Sequence, residues 1–173
     1  MNPQQLHDYI IKPTLKYMSG NYYSKESAFL LLCTAAIESN CGEYIKQING
    51  PALGIWQMEP DTHSDIWVNC DSLHGAGLDD SLIVRFLESV EVNSFNDKRV
   101  VSLILSPMYA CAMARLKYSM DPNPLPKLTG VTSTDLNSFY NYYKRVYNTE
   151  LGASTYDKWC TAIAANHIMK VEL

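Results

Sequence analysis

The sequence has no hydrophobic run long enough to cross a bilayer. Its longest apolar stretch, Phe29 to Ile37, falls far short of the roughly 20 residues that a helical span requires, so no membrane span is expected. Positive charge is not in excess either: 14 Lys and Arg stand against 18 Asp and Glu, for a formal net charge of -4. Without a basic cluster, the chain lacks the electrostatic footprint of a nucleic-acid binder. The five cysteines (Cys33, Cys41, Cys70, Cys111, Cys160) are odd in number and contain no C-x-x-C pair. They read as small core residues in a reducing compartment rather than as a disulfide framework. The four histidines lack H-E-x-x-H spacing, so neither a metal nor another cofactor is expected. The opening MNPQQLHDYIIKPTLKYM is polar and carries Pro13, which does not fit a signal peptide. No repeat, low-complexity tract or Gly/Ser linker divides the 173 residues, and residues 1–173 read as one domain.

What is present is helical patterning on an ordinary globular composition, 47% hydrophobic and 18% charged. Asn2-Pro3 is a cap followed by a first-turn proline. Ser24 is placed to cap a helix to about Ser39 whose centre, AFLLLCTAAI, is apolar nearly all round and therefore belongs in the core. Gly42, Gly50, Pro51 and Gly54 break the pattern over residues 40–60, predicting a structured loop or a small β-hairpin around 42–57. Short helices are expected from Pro60 to about Val68 and from Asp79 or Asp80 to about Val90. The stretch from Asp97 to Met120 is helical on both sides of a break at Ser106-Pro107. DPNPLP (121–126) is an extended connection, and two helices follow at about 134–147 and 155–169. The second carries the S-x-x-D capping pattern of Ser154 and Asp157. The fold class is all-α, with at most one small hairpin.

Glu38 is the first candidate for chemistry. It ends the most apolar helix, where burial and the negative end of the helix dipole both disfavour the carboxylate. A carboxyl kept protonated near neutrality can protonate a leaving glycosidic oxygen. The surrounding residues sharpen this: AAIESNCG followed by ALGIWQMEPDT resembles the soluble lytic transglycosylase and goose-type lysozyme superfamily. In that group a helix ends in Glu-Ser, and a Gly-hydrophobic-Met-Gln run with a following Pro-x-Thr comes shortly after. The matches are Glu38 and Ser39, then Gly54, Ile55, Gln57, Pro60 and Thr62. Trp56 stands where the family often has Met, and Glu59 where it usually has an apolar residue. Tyr147-Asn148 resembles a third element, a Tyr-Asn pair; the glycine expected two residues later is replaced by Glu150, with Gly152 further on.

The resemblance implies a lysozyme-like fold acting on the peptidoglycan glycan strand. Glu38 would be general acid and then general base at an N-acetylmuramic acid–N-acetylglucosamine β-1,4 bond. Ser39, Gln57, Trp56 and Tyr147 would bind substrate, with Trp56 offering a face for sugar stacking and Tyr147 a donor toward Glu38 or an acetamido group. Ser39 would orient the substrate or Glu38, or equally satisfy helix-end carbonyls. A transglycosylase manages with one carboxyl, whereas a hydrolytic lysozyme needs a second. Glu59, Asp61 and Asp65 are the candidates, with Glu59 favoured as the possible second carboxylate but expected to point outward. Asp61 is expected to cap the following helix. GPALGIWQMEP also resembles short proteins carried in tailed-bacteriophage virions. That implies a location in the phage virion or the host cytoplasm, action at the bacterial cell wall, and other virion proteins as partners. An inactive virion structural protein or wall-binding module is the alternative of a different class, and a chitin-like substrate the more distant enzymatic one.

Overall fold

The computed structural model describes residues 1–18, 20–75, 95–148 and 152–173. The helix expected between Asp79 or Asp80 and Val90 lies outside these residues, as does Glu150. Among the described residues the fold is all-α, with no strand. The expected hairpin is reduced to two isolated antiparallel bridges, Lys46 with Leu53 and Leu53 with Met58. Glycines and left-handed residues bend this segment too often for a ladder to extend.

The chain enters through α1 (Pro3–Leu6), a π-helical turn (His7–Ile11) and α2 (Lys12–Tyr17). Asn2 caps this segment by accepting from the Gln5 amide at 3.1 Å. The wide turn directly precedes Pro13, whose ring would otherwise clash with the carbonyl four residues back. Next comes α3 (Lys25–Ser39), opened by a reciprocal capping box. The Ser27 amide donates to Ser24 Oγ at 3.1 Å, and the Ser24 amide donates to Ser27 Oγ at 2.8 Å. Every residue from Ser27 to Ala36 is buried, as a helix apolar on all faces requires.

α4 (Pro60–Asn69) and α5 (Asp71–Gly75) follow the loop. The N-cap of α4 is Glu59, in extended conformation and with no side-chain capping bond. Asp61 therefore does not cap it; with Pro60 at the first helical position the cap falls at Glu59, two residues upstream of Asp61. α6 (Phe95–Leu105) and α7 (Pro107–Ser119) are bent by 115° at Ser106-Pro107. Ser106 caps α7 by accepting from the Tyr109 amide at 3.2 Å. Small residues Ala110, Cys111, Ala112 and Ala114 on α7 are all buried, and the helix packs against α2, α3 and α4. α8 (Thr132–Tyr143) runs into a second π turn (Lys144–Asn148), and α9 (Tyr156–Ala165) leads to a terminal 3-10 turn (Ile168–Lys170). Thr155 caps α9 by accepting from the Lys158 amide, while the Ser154 hydroxyl donates to Asn148 Oδ1 instead.

The buried side chains form one contiguous cluster centred on α3 and α7. All five cysteines are unpaired. His63 is buried with Nε2 2.6 Å from the Tyr109 hydroxyl; burial, aided by the charge of Arg99, holds its pKa down to about 4. No single helix among the described residues is long and apolar enough to cross a membrane.

Candidate active site

The end of α3 is shaped so that Glu38 is not covered by a further turn. Asn40 and Cys41 both adopt left-handed backbone, with φ of 52° and 55°. The Cys41 amide returns to the Ala35 carbonyl at 2.9 Å, satisfying a helix-end acceptor as the chain turns away. Glu38 is left half-buried on the wall of a cleft of about 470 Å³. Burial pushes its carboxyl up to about 7, against the opposing hydrogen bond from Tyr143. The dipole of α3 acts in the same direction as burial.

Ser39 does not face this cleft. It is 1% exposed, and its hydroxyl donates to the Ile55 carbonyl at 2.5 Å while accepting from the Gly42 amide at 2.8 Å. The expected substrate contact is thus corrected to a structural tie between the end of α3 and the second motif. Trp56 is corrected likewise. It is 1% exposed, its indole N–H donates to the Leu31 carbonyl at 2.9 Å, and no ring face is left for a sugar.

The second motif is a loop whose alternate residues serve core and cleft. Gly54 has φ of 75°, and a Cβ there would lie 2.2 Å from the Leu103 carbonyl oxygen, so only glycine fits. Leu53 and Met58 exchange two backbone hydrogen bonds, both 2.9 Å, closing a turn that buries Ile55, Trp56 and Met58. Gln57, at φ of 45°, is presented to the cleft; its amide nitrogen donates to the Gly54 carbonyl at 2.8 Å. Glu59 and Thr62 lie on the same cleft, with Glu59 exposed. Asp61 and Asp65 are not among its lining residues; Asp65 accepts from Asn69 at 2.8 Å.

The opposite contribution comes from α8 and its π turn. The Tyr143 hydroxyl donates to Glu38 Oε1 at 2.6 Å. Its own ionisation is pushed up by burial and by the neighbouring Glu38, so it stays a donor. Tyr147 lines the cleft but donates to the Trp56 carbonyl at 2.8 Å. The expected donor toward Glu38 is therefore Tyr143 rather than Tyr147. The signal for it was present: Tyr140, Tyr143 and Tyr147 share one helical face at i, i+3, i+7 spacing. Tyr143 stacks on buried Trp159 at 4.9 Å and on Tyr147 at 6.2 Å, which fixes both hydroxyls. Asn148 Oδ1 accepts from Lys144 Nζ at 2.9 Å and from Ser154 at 2.7 Å. A Cβ on Gly152 would lie 2.3 Å from the Asn148 backbone carbonyl oxygen, so this close approach favours glycine.

Lys117 from α7 and Lys158 from α9 complete the lining, and no sequence motif had singled them out. Among the described residues, no group of three His, Cys, Asp or Glu side chains converges on one point. Compared with protein-family models, curated proteins and solved structures, the chain matches none.

Proposed function

We propose that the chain is a peptidoglycan-degrading glycosidase that cleaves the N-acetylmuramic acid–N-acetylglucosamine β-1,4 bond as a lytic transglycosylase. The observation that carries this reading is Glu38 itself, a half-buried carboxyl on a cleft wall with its pKa raised to about 7. At neutral pH such a group is present both as acid and as base, which suits a single residue that must act in each role.

In the proposed reaction the Glu38 proton goes to the glycosidic oxygen as its bond to the muramoyl C1 breaks. The Glu38 carboxylate then takes the proton of the muramoyl C6 hydroxyl, and that oxygen closes on C1. The products are a free N-acetylglucosamine hydroxyl and a 1,6-anhydro ring; no water is consumed, and Glu38 ends protonated. Tyr143 holds the Glu38 carboxyl in place and stabilises its ionised form between the two steps. Gln57 offers uncharged amide groups to the sugar substituents.

Hydrolysis is the second reading, because Glu59 is the other carboxylate among the described lining residues. Its exposure favours transglycosylation, since a hydrolytic base must be held across the scissile bond. Action from a bacteriophage virion, with other virion proteins as partners, belongs to the same proposal and rests on the resemblance of GPALGIWQMEP. Mass analysis of products from purified peptidoglycan tests the reaction. Anhydro-muropeptides are expected; reducing-end products would establish the hydrolytic reading, and an uncut wall would remove both.

A further inference from the structure

The whole chain carries a net charge of -4, yet two lysines stand among the described lining residues of the cleft. Of the described lining residues, Lys117 and Lys158 are cationic, Glu59 is anionic, and Glu38 is the titrating acid. The two lysines come from helices separate in sequence, α7 and α9, that both pack on α3. Neither ammonium is fully engaged. Lys117 Nζ forms a loose ion pair with Asp65 Oδ2 at 3.9 Å, beyond hydrogen-bonding distance, so its three N–H donors stay open to a ligand. Lys158 Nζ donates once, to the Ala153 carbonyl at 3.0 Å, and an ammonium has three donors. The Lys117 side chain is 22% exposed and Lys158 is exposed, so both can reach a ligand in the cleft.

A polymer of N-acetylglucosamine alone is neutral and has no use for two cations. The muramoyl residue differs from it by a 3-O-lactyl arm that ends in a carboxylate, either its own or those of an attached stem peptide. We infer that Lys117 and Lys158 recognise the carboxylates of this arm, making the cleft selective for muramoyl-containing strands over neutral chitin-like ones. This inference rests on the glycosidase reading above. It also gives an acidic protein a local attraction for an acidic wall polymer: among the described lining residues, two lysines stand beside Glu59 and the titrating Glu38.

The test uses wild type, Lys117→Gln, Lys158→Gln and the double variant, with thermal melting as a check on folding. The substrates are peptide-bearing strands, amidase-stripped strands that keep a free lactyl carboxylate, and neutral chitohexaose, whose Kd is measured by calorimetry. For the double variant, KM on the anionic strands is expected to rise about three- to tenfold, the scale of two partly exposed charge contacts. The salt dependence of KM should flatten, while Kd for chitohexaose should move less than twofold. A rise on both kinds of strand assigns the lactyl carboxylate, and a rise on peptide-bearing strands alone assigns the stem peptide. An equal loss for chitohexaose, or a KM that does not move, overturns the inference while leaving the glycosidase reading intact. If wild type cuts neither kind of strand, the glycosidase reading fails and the inference falls with it.

Discussion

Tyr143 donates a 2.6 Å hydrogen bond to Glu38 across 105 residues of sequence, and that bond opposes the effect of burial on the Glu38 carboxyl. Burial favours the protonated Glu38, whereas the Tyr143 hydroxyl favours the carboxylate. Their balance sets the carboxyl near 7 rather than higher, where it can both give and recover a proton.

Glu38→Gln removes the titrating proton and keeps the shape of the side chain. Muralytic activity is expected to fall on the order of 10³-fold or more, with the fold retained. Near wild-type clearing of cell walls by this variant would show that Glu38 is not the acid.

The same substitution carries a pH signature in stability. The Glu38 pKa is raised in the folded state from an ordinary 4.5 to about 7. Its contribution is therefore fully present below about 4.5 and lost as pH rises through 7. Wild type should be matched by Glu38→Gln at about pH 4 and be less stable than it at about pH 8, by on the order of 2 kcal/mol after discounting for partial exposure. Denaturant unfolding at the two pH values measures the difference, and equal stability at both would mean that Glu38 titrates normally.

Tyr143→Phe deletes the donor that favours the ionised Glu38. The alkaline limb of the activity profile should move upward by roughly half a unit to one unit, with a reduced maximal rate. Tyr147→Phe should leave that limb in place and lower stability by about 1 kcal/mol, through loss of its bond to the Trp56 carbonyl. A shift of the limb in Tyr147→Phe but not in Tyr143→Phe would reverse the two assignments.

Ser39→Ala leaves the Gly42 amide and the Ile55 carbonyl without their buried partner. Stability should drop by about 1–3 kcal/mol, while kcat per folded molecule below the melting transition stays within a fewfold of wild type. A collapse of kcat in a variant that melts normally would return Ser39 to the substrate site.

Glu59→Gln should keep most activity and the same anhydro products. A collapse of rate, together with reducing-end products from wild type, would identify Glu59 as a hydrolytic base.

The helical class, and the placement of Glu38 at the end of the most apolar helix, follow from local sequence pattern. Capping and periodicity act over a few residues: Ser24 caps α3, its all-apolar centre buries it, and it ends at Ser39 beside Glu38. The loop around Gly54 was likewise legible as a break in the pattern. The tertiary structure alone decided which side chains meet that acid. Tyr143 and Tyr147 are near-equivalent in sequence, and only the packing of α8 on α3 turns one toward Glu38 and the other toward the Trp56 carbonyl. Trp56 and Ser39 sit in motifs suited to a cleft, yet Leu31 and Ile55 supply carbonyl partners in the core that hold both away from it. Lys117 and Lys158 carry no local signature, because a cleft gathers charge from helices whose proximity depends on long-range packing rather than on neighbouring residues.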